Sequence, residues 1–542
     1  MKNKPYPYQR RFHLKNLQEL VRYAAAQFGD ATAFKYEQNG RKVEISYTVF
    51  RSDVNALGTY FYSLGMTGGR KIAVIGENSY AWILTYFAAV NGSNIIVPLD
   101  KELGDNEAAT LLEAAGCDAL VYSPAKADVQ KLCAERGLPI RHYISTYEFD
   151  AILESGQHLL KSGDNAFLEN EIDNDAVCSI IYTSGTTGAP KGVMLSHGNI
   201  AADAYHSLEN LNIPRGTVAV LPLNHTFGFL ACVVCQVWVG YSVYINNNLK
   251  TVLKDVQTAQ PGHISLVPLF VEKFYKGIWK TAEKQGKADQ LRKLIKTSNA
   301  LRKAGIDMRR VLFRPVLKNF GGKLEMIISG GAPMDDMYIK GFEDFGITVI
   351  NGYGITECSP IVSTNREDWA KYGSVGLPIP TVSIRIDHAN DFGEGEILVK
   401  GDIVMKGYYN DPEATHAVLQ DGWFRTGDIG MVDQDGFLYI TGREKNMILL
   451  ANGKNVYPEE LEARLAQIEN VTEVLVYAED DTITAEIYTD AEEDRETVKE
   501  QIKRDIQAIN RTLAQYKQIR KIKYRTTEFE KTTTKKIKRF LQ

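Results

Sequence analysis

Through the first two-thirds of this 542-residue chain, short apolar runs rich in β-branched residues alternate with helical patterns. The strand-like runs lie at 71–75, 94–98, 119–122, 177–182, 218–221, 264–267, 324–329 and 348–350. Helical periodicity occupies 17–28, 48–64, 80–90, 106–115 and 199–210. Such alternation predicts an α/β fold, in which mostly parallel strands are layered between helices. After about residue 365 the texture changes to short strands at 383–387, 395–400 and 437–440, with turns such as Asp435-Gly436, which predicts a small β-rich subdomain. From 445 onward the pattern is α+β: helix 458–468, strands 473–477 and 483–488, helix 496–513. The expected organisation is therefore a large N-terminal domain, 1–444, made of α/β subdomains to about 365 and a β-rich subdomain over about 366–444. A small α+β domain, 445–542, follows.

The bulk numbers exclude several classes. Lys and Arg number 63 against 67 Asp and Glu, a net charge of -4, so there is no global attraction to nucleic acid. Six cysteines in so long a chain imply no disulfide framework. Cys232 and Cys235 have CxxC spacing among apolar neighbours and read as a buried face. Residues 216–249 carry no Asp, Glu, Lys or Arg, yet Gly228, Gln236, Gly240 and Ser242 interrupt the run. It reads as strand, polar loop, buried helix and strand rather than a membrane span. The first twelve residues are basic with no apolar stretch behind them, which is not a secretory leader, so a cytoplasmic enzyme is expected. The charged stretch 280–303 reads as a solvated pair of amphipathic helices.

One segment points to chemistry: Ile180-Ile181-Tyr182-Thr183-Ser184-Gly185-Thr186-Thr187-Gly188-Ala189-Pro190-Lys191-Gly192. A buried strand runs into a loop of small hydroxylated residues. Glycines let backbone N–H groups turn toward an anion, hydroxyls add donors, and Lys191 adds a positive charge. A helix expected after the loop would add its N-terminal dipole. Pro190 before Lys191 and Gly192 after it separate the segment from a Walker A loop.

This segment resembles the phosphate loop of the adenylate-forming superfamily: acyl-CoA synthetases, luciferases and the adenylation domains of peptide synthetases. Further motifs follow in that superfamily's order, from Ile180 to Lys536. In Asn351-Gly352-Tyr353-Gly354-Ile355-Thr356-Glu357 the resemblance places adenine beside Tyr353, the α-phosphate near Thr356, and Mg²⁺ on Glu357 with Thr183. Gly330, Gly331 and Ala332 would line the adenine and acyl sites. Asp428, in Trp423-Phe424-Arg425-Thr426-Gly427-Asp428, would take the ribose hydroxyls, and Arg443 would reach the nucleotide. Lys445 would be the hinge about which the C-terminal domain swings. Asn452 and Gly453 would then line the thiol tunnel. Lys536, in a basic C-terminal run, would be the mobile catalytic lysine. The run departs from the superfamily's pattern at Glu530, where Pro is usual, and at Lys535, where Gly is usual, so Lys535 is the alternative. His225 occupies the position beside the substrate carboxylate.

The resemblance implies an ATP- and Mg²⁺-dependent enzyme that makes an acyl-adenylate and passes the acyl group to coenzyme A. Val267-Pro268 with Glu272-Lys273 is similar to the long-chain fatty acid–CoA ligase branch. The expected acyl pocket is formed by His225, Phe229, Val267, Gly330, Gly331 and Tyr353. The expected acid is a medium- or long-chain fatty acid, with an aryl acid as the alternative. Acyl carrier protein acting in trans is the alternative thiol, and a non-catalytic nucleotide-binding protein is the alternative of another class. The basic residues 517–525 and 531–539 could meet CoA phosphates, a carrier or an anionic membrane surface.

Overall fold

A computed structural model describes residues 8–38, 40–183, 190–450, 455–479, 482–491, 495–531 and 537–539. The fold is the α/β architecture expected. Its residues group into two compact units: Met1–Ala332, Asp336–Ser383 and Val399–Phe424 form the first; Pro333–Asp335, Ile384–Leu398 and Arg425–Gln542 form the second.

The first unit is organised around a seven-stranded sheet. In spatial order its strands are Gly407–Tyr408, Lys191–Ser196, Val177–Thr183, Ile95–Leu99, Lys71–Ile75, Ala119–Tyr122 and His142–Ser145. The last five run parallel; Lys191–Ser196 runs antiparallel to both of its neighbours, Val177–Thr183 and Gly407–Tyr408. Parallel strands must be covered on both faces, and their sequences show it: Ile72, Ala73, Val74 and Ile75 are all buried. Helix Tyr80–Asn91, apolar on nearly every face, is buried along its whole length, capped by Ser79 through the Trp82 N–H. A second sheet sets His263–Leu266, Met326–Ser329 and Thr348–Gly354 parallel, then adds Ile361–Thr364 and Leu377–Pro378 antiparallel. A third joins Arg41–Ser46, Thr32–Gln38, Val243–Ile245 and Thr217–Ala219.

The uncharged stretch 216–249 is strand Thr217–Ala219, a loop, a buried helical run over 226–239 and strand Val243–Ile245, as its sequence indicated. Among the described residues no helix is long and apolar enough to cross a membrane. The charged stretch forms helices Pro268–Lys284 and Ala288–Lys303 with few buried side chains. All six cysteines are buried, and the Cys232 and Cys235 thiols are pushed up by burial, Cys232 to about 12.

The second unit contains most of strands Ser383–Asp387, Gly395–Lys400 and Trp423–Val432 and all of Leu438–Arg443, which share one sheet. It continues into helix Pro458–Leu465, strands Glu473–Glu479, Thr482–Tyr488 and Lys521–Arg525, and helix Arg495–Asn510. A separate core that includes Val456, Leu461, Leu465, Ile487 and Ile502 holds the α+β part together.

Candidate active site

The strands that flank the expected phosphate loop form a hairpin. Strand Val177–Thr183 pairs antiparallel with Lys191–Ser196, Thr183 opposite Lys191. The helix expected after the loop, from 199, is present as His197–Asn210, and strand Lys191–Ser196 precedes it. Pairing with Val177–Thr183 holds that strand, and the helix His197–Asn210 starts where Ser196 and Asn199 form a reciprocal capping box. Among the described residues, Thr183 and Lys191 stand opposite each other at the open end of this hairpin. Ser184, Gly185, Thr186, Thr187, Gly188 and Ala189 lie outside the described residues.

Glu357 lies in a single helical turn, Thr356–Cys358, just beyond strand Thr348–Gly354. The strand is longer than its apolar run 348–350 suggested and includes Asn351, Gly352, Tyr353 and Gly354. Two of the glycines serve the chain's own packing. A Cβ at Gly354 would stand 2.2 Å from the Pro360 carbonyl, and one at Gly352 would stand 3.0 Å from the Ser363 carbonyl. Tyr353 is half-buried and Asn351 is buried. By contrast Gly331 adopts φ +83°, and a Cβ there would meet only Val267, at 3.9 Å. The Gly330-Gly331-Ala332 turn thus has room for a ligand to approach its backbone.

The Glu357 carboxylate is nine-tenths buried and accepts the Tyr408 hydroxyl at Oε1, 2.9 Å. Burial, reinforced by the Glu357 charge, pushes the Tyr408 phenol far up, so it stays a donor. Lys191 Nζ lies 4.8 Å from the centre of the same ring, a cation–π distance. Lys191, Tyr408 and Glu357 therefore form one cluster joining phosphate hairpin and acid. Tyr408 was missed in the sequence; its only signal was the aromatic pair after Gly407.

Helix His197–Asn210 positions this cluster. Asn199 donates to the carbonyls of Asp402 (2.6 Å) and Val404 (3.0 Å). Asp203 accepts the Ile361 N–H (2.8 Å) and the Ser207 hydroxyl (3.2 Å), and Asn210 donates to Thr364 Oγ1 (2.7 Å). The Met405 N–H donates to the Glu357 carbonyl at 2.8 Å. One helix thus ties down both the Glu357 and the Tyr408 segments. Ser359, two residues past Glu357, holds the left-handed conformation at φ +73°, which for a non-glycine costs on the order of 1 kcal/mol or more. Its hydroxyl donates to the Ile403 carbonyl at 2.7 Å.

His225 caps the short helix Thr226–Phe229, and its Nε2 lies 3.7 Å from Asp100 Oδ2. Asp100 was also missed; it is the first charge after the apolar strand Ile95–Leu99. His225 faces a narrow cavity of about 10 Å³ whose walls include Pro98, Ile181, Phe229 and Ser359. That is room for about one water. Phe229 is buried in an aromatic cluster, 3.9 Å from Tyr86 between ring centres. Val267 stands at the entry to helix Pro268–Lys284.

Asp428 and Arg443 belong to the second unit. They face each other across strands Trp423–Val432 and Leu438–Arg443, and Arg443 Nε donates to Asp428 Oδ1 at 2.7 Å. Asp428 is buried while Arg443 is half-exposed. Lys445 is exposed on the turn Glu444–Asn446. Asn452, Gly453, Lys535 and Lys536 lie outside the described residues.

Comparison with known proteins defines the class. The AMP-binding enzyme family model matches residues 21–409, and the AMP-binding enzyme C-terminal domain matches 445–540. A long-chain-fatty-acid–CoA ligase of Mycobacterium bovis is 30% identical over 444 residues, covering 76% of this chain and 72% of its own. Long chain acyl-CoA synthetase 5 of Arabidopsis thaliana is 28% identical over 479 residues, 81% of this chain and 72% of its own. Among solved structures, an anthranilate CoA ligase in complex with anthranoyl-AMP superposes with TM-score 0.80 at 21% identity, covering 100% of this chain and 98% of that one. A Mycobacterium tuberculosis fatty acyl CoA synthetase gives TM-score 0.68 at 23% identity, with 97% of each chain covered. The chain belongs to the AMP-binding, adenylate-forming enzyme family. It is an acid–thiol ligase, an AMP-forming acyl-CoA synthetase that uses ATP and CoA.

Proposed function

We propose that this enzyme activates a medium- or long-chain fatty acid as acyl-AMP, releasing pyrophosphate, and then transfers the acyl group to coenzyme A. The observation that carries this reading is the Lys191–Tyr408–Glu357 cluster beside the phosphate hairpin, in a chain whose relatives bear long-chain fatty acid names. Carboxylate and α-phosphate are both anions, so the catalyst must neutralise charge and hold them in line. The hairpin from Thr183 to Lys191 grips the phosphates, and Lys536 bridges carboxylate and α-phosphate. Tyr353 packs on adenine, Thr356 meets the α-phosphate, and Asp428 with Arg443 takes the ribose and nucleotide. His225, Phe229, Val267, Gly330 and Gly331 line the acyl path.

Glu357 suits Mg²⁺. It is a buried carboxylate, and among the described residues no cluster of three or more His, Cys, Asp or Glu forms a full cage. Mg²⁺ commonly takes one or two carboxylates and completes its shell with water and substrate phosphates. Held by Glu357 and Thr183, the ion would neutralise phosphate charge. After adenylation Lys536 must leave, and rotation about Lys445 exchanges it for the loop bearing Asn452 and Gly453, with residues 445–542 moving as a domain.

The test is acid-dependent ATP–pyrophosphate exchange with acids from short to long chain and with aryl acids, followed by transfer to CoA or to acyl carrier protein. Maximal exchange with medium- or long-chain acids and transfer to CoA is the expected result. Preference for an aryl acid, or for the carrier thiol, replaces the corresponding half of the proposal.

A further inference from the structure

Strand Ile95–Leu99 sits between Lys71–Ile75 and Val177–Thr183, parallel to both. Ligands in such sheets bind beyond the C-terminal strand ends. With Ile96 opposite Ser179, the next turns of chain bring Asp100 out at the same end as Thr183 and the phosphate hairpin. Pro98 contributes no N–H to the ladder, and the cavity that Pro98 shares with Ile181 and His225 lies where these two strands end.

Asp100 is largely buried, with 11% of its side chain exposed. Its Oδ1 accepts the Glu102 N–H at 2.9 Å, and its Oδ2 is turned to His225 Nε2 at 3.7 Å. The loop that carries His225 is fixed independently. Asn78 donates to the carbonyls of Ala219 and Leu221 and accepts the Leu223 N–H. A buried carboxylate thus faces a histidine whose backbone is already held.

We propose that Asp100 is the positioning residue for His225: it engages Nε2, fixes the ring, and keeps the imidazole protonated so that Nδ1–H is the donor for the substrate carboxylate. This rests on the reading of His225 as a contact of the acid. A negative charge at this distance favours the imidazolium, and such contacts commonly shorten once substrate is bound. A carboxylate brought to the mouth of this cavity meets apolar walls at Pro98, Ile181 and Phe229, and a His225 imidazolium there adds a second positive partner to Lys536.

Other ionisable groups lie on the elements around this cavity. The Tyr86 and Tyr182 phenols and the Cys178 thiol are all pushed far up by burial and stay neutral. Glu357, beyond Ser359, takes the Tyr408 hydroxyl. Lys101 lies 3.8 Å from Glu102.

The experiment measures KM for the acid against pH by ATP–pyrophosphate exchange, for the unaltered enzyme, Asp100→Asn, Asp100→Glu and His225→Gln. In the unaltered enzyme acid KM should rise as pH climbs through the His225 ionisation. Asp100→Asn should move that inflection down by about one pH unit or more and raise acid KM roughly tenfold at neutral pH, with KM for ATP unchanged. Asp100→Glu should restore most of both, and His225→Gln should give a raised, pH-independent KM. An Asp100→Asn profile with its inflection unmoved overturns the proposal, whatever happens to stability. Should Asp100→Asn melt early, His225→Gln decides: a persisting inflection in that variant overturns it. Absence of acid-dependent exchange in the unaltered enzyme removes the adenylation reading first, and this inference with it.

Discussion

Each of the two units buries a carboxylate where the chain must be pinned near a site residue, and the two solve the problem differently. In the first, Asp203 holds Ile361, four residues beyond Glu357, through neutral donors: one N–H and one hydroxyl. Burial pushes its carboxyl well up from the usual range. In the second, Glu462 accepts the Val476 N–H at 2.7 Å and is ion-paired with Arg539, three residues beyond Lys536. Arg539 also reaches Glu459 at 3.9 Å and the Val476 carbonyl at 3.3 Å. On the other side of 532–536, Lys531 pairs with Glu473 and with Glu528. The Glu357 segment is anchored through dipoles, and the residues that flank 532–536 are anchored through charges. Dipolar anchors respond little to salt; ionic ones respond more.

The largest effect that would sharpen the contrast is catalytic. Lys536→Ala should lower ATP–pyrophosphate exchange about 10²–10³-fold, while transfer from supplied acyl-AMP to CoA stays near normal. Exchange within a few-fold of the unaltered enzyme would leave the second unit with anchors but no catalytic cargo for them.

Next in size is the ionic anchor. Arg539→Met leaves Glu462 buried without its counter-charge. Breaking a fully buried pair costs about 3–5 kcal/mol, and with Arg539 24% exposed the loss here should be nearer 2–3 kcal/mol. Urea unfolding followed by a probe in the second unit reads it. Adding Glu462→Leu to that variant should recover much of the loss, because no charge is then stranded. Failure to recover would mean that Arg539 matters by packing.

The dipolar anchor should be milder and more tolerant. Asp203→Ala leaves the Ile361 N–H without its acceptor, a cost of about 1–3 kcal/mol. Asp203→Asn keeps an acceptor and should cost under about 1 kcal/mol, read as a thermal midpoint. An Asn variant as damaged as the Ala variant would show that the carboxylate charge is needed, and the distinction between the units would fail.

What was legible in the sequence follows the same division. Period and burial are local properties, so helix Leu17–Phe28 and strands Lys71–Ile75, Ala119–Tyr122, Ser383–Asp387 and Gly395–Lys400 were read to the residue. Glu357 and Lys191 were marked out by motif. The groups that position them were not. Tyr408 meets Glu357 from 51 residues away, Asp203 meets Ile361 from 158, and Asp100 meets His225 across two strand ends. None of these partners has a spacing that a sequence pattern can express. The strand at 191–196 was missed for a related reason. Its pairing with Val177–Thr183 decides its conformation, and pairing is tertiary.

The smallest predicted effect is the pH response of the Glu462 anchor. Burial raises the Glu462 carboxyl to about 7 despite the opposing pull of Arg539. The unfolded chain releases this proton near pH 4.5, whereas the folded chain keeps it to about 7. Between those values the folded state binds more protons, so stability falls as pH rises through the window and is flat on either side. A thermal midpoint for the second unit should therefore decline from pH 5 to pH 8, and Glu462→Gln should remove the decline. Subtracting the variant's curve from the parent's cancels other ionisations common to both, including those of the buried His197 and His263, which burial lowers to about 4. If the second unit's slope survives in Glu462→Gln, the pH response of that unit lies elsewhere and its assignment to Glu462 fails.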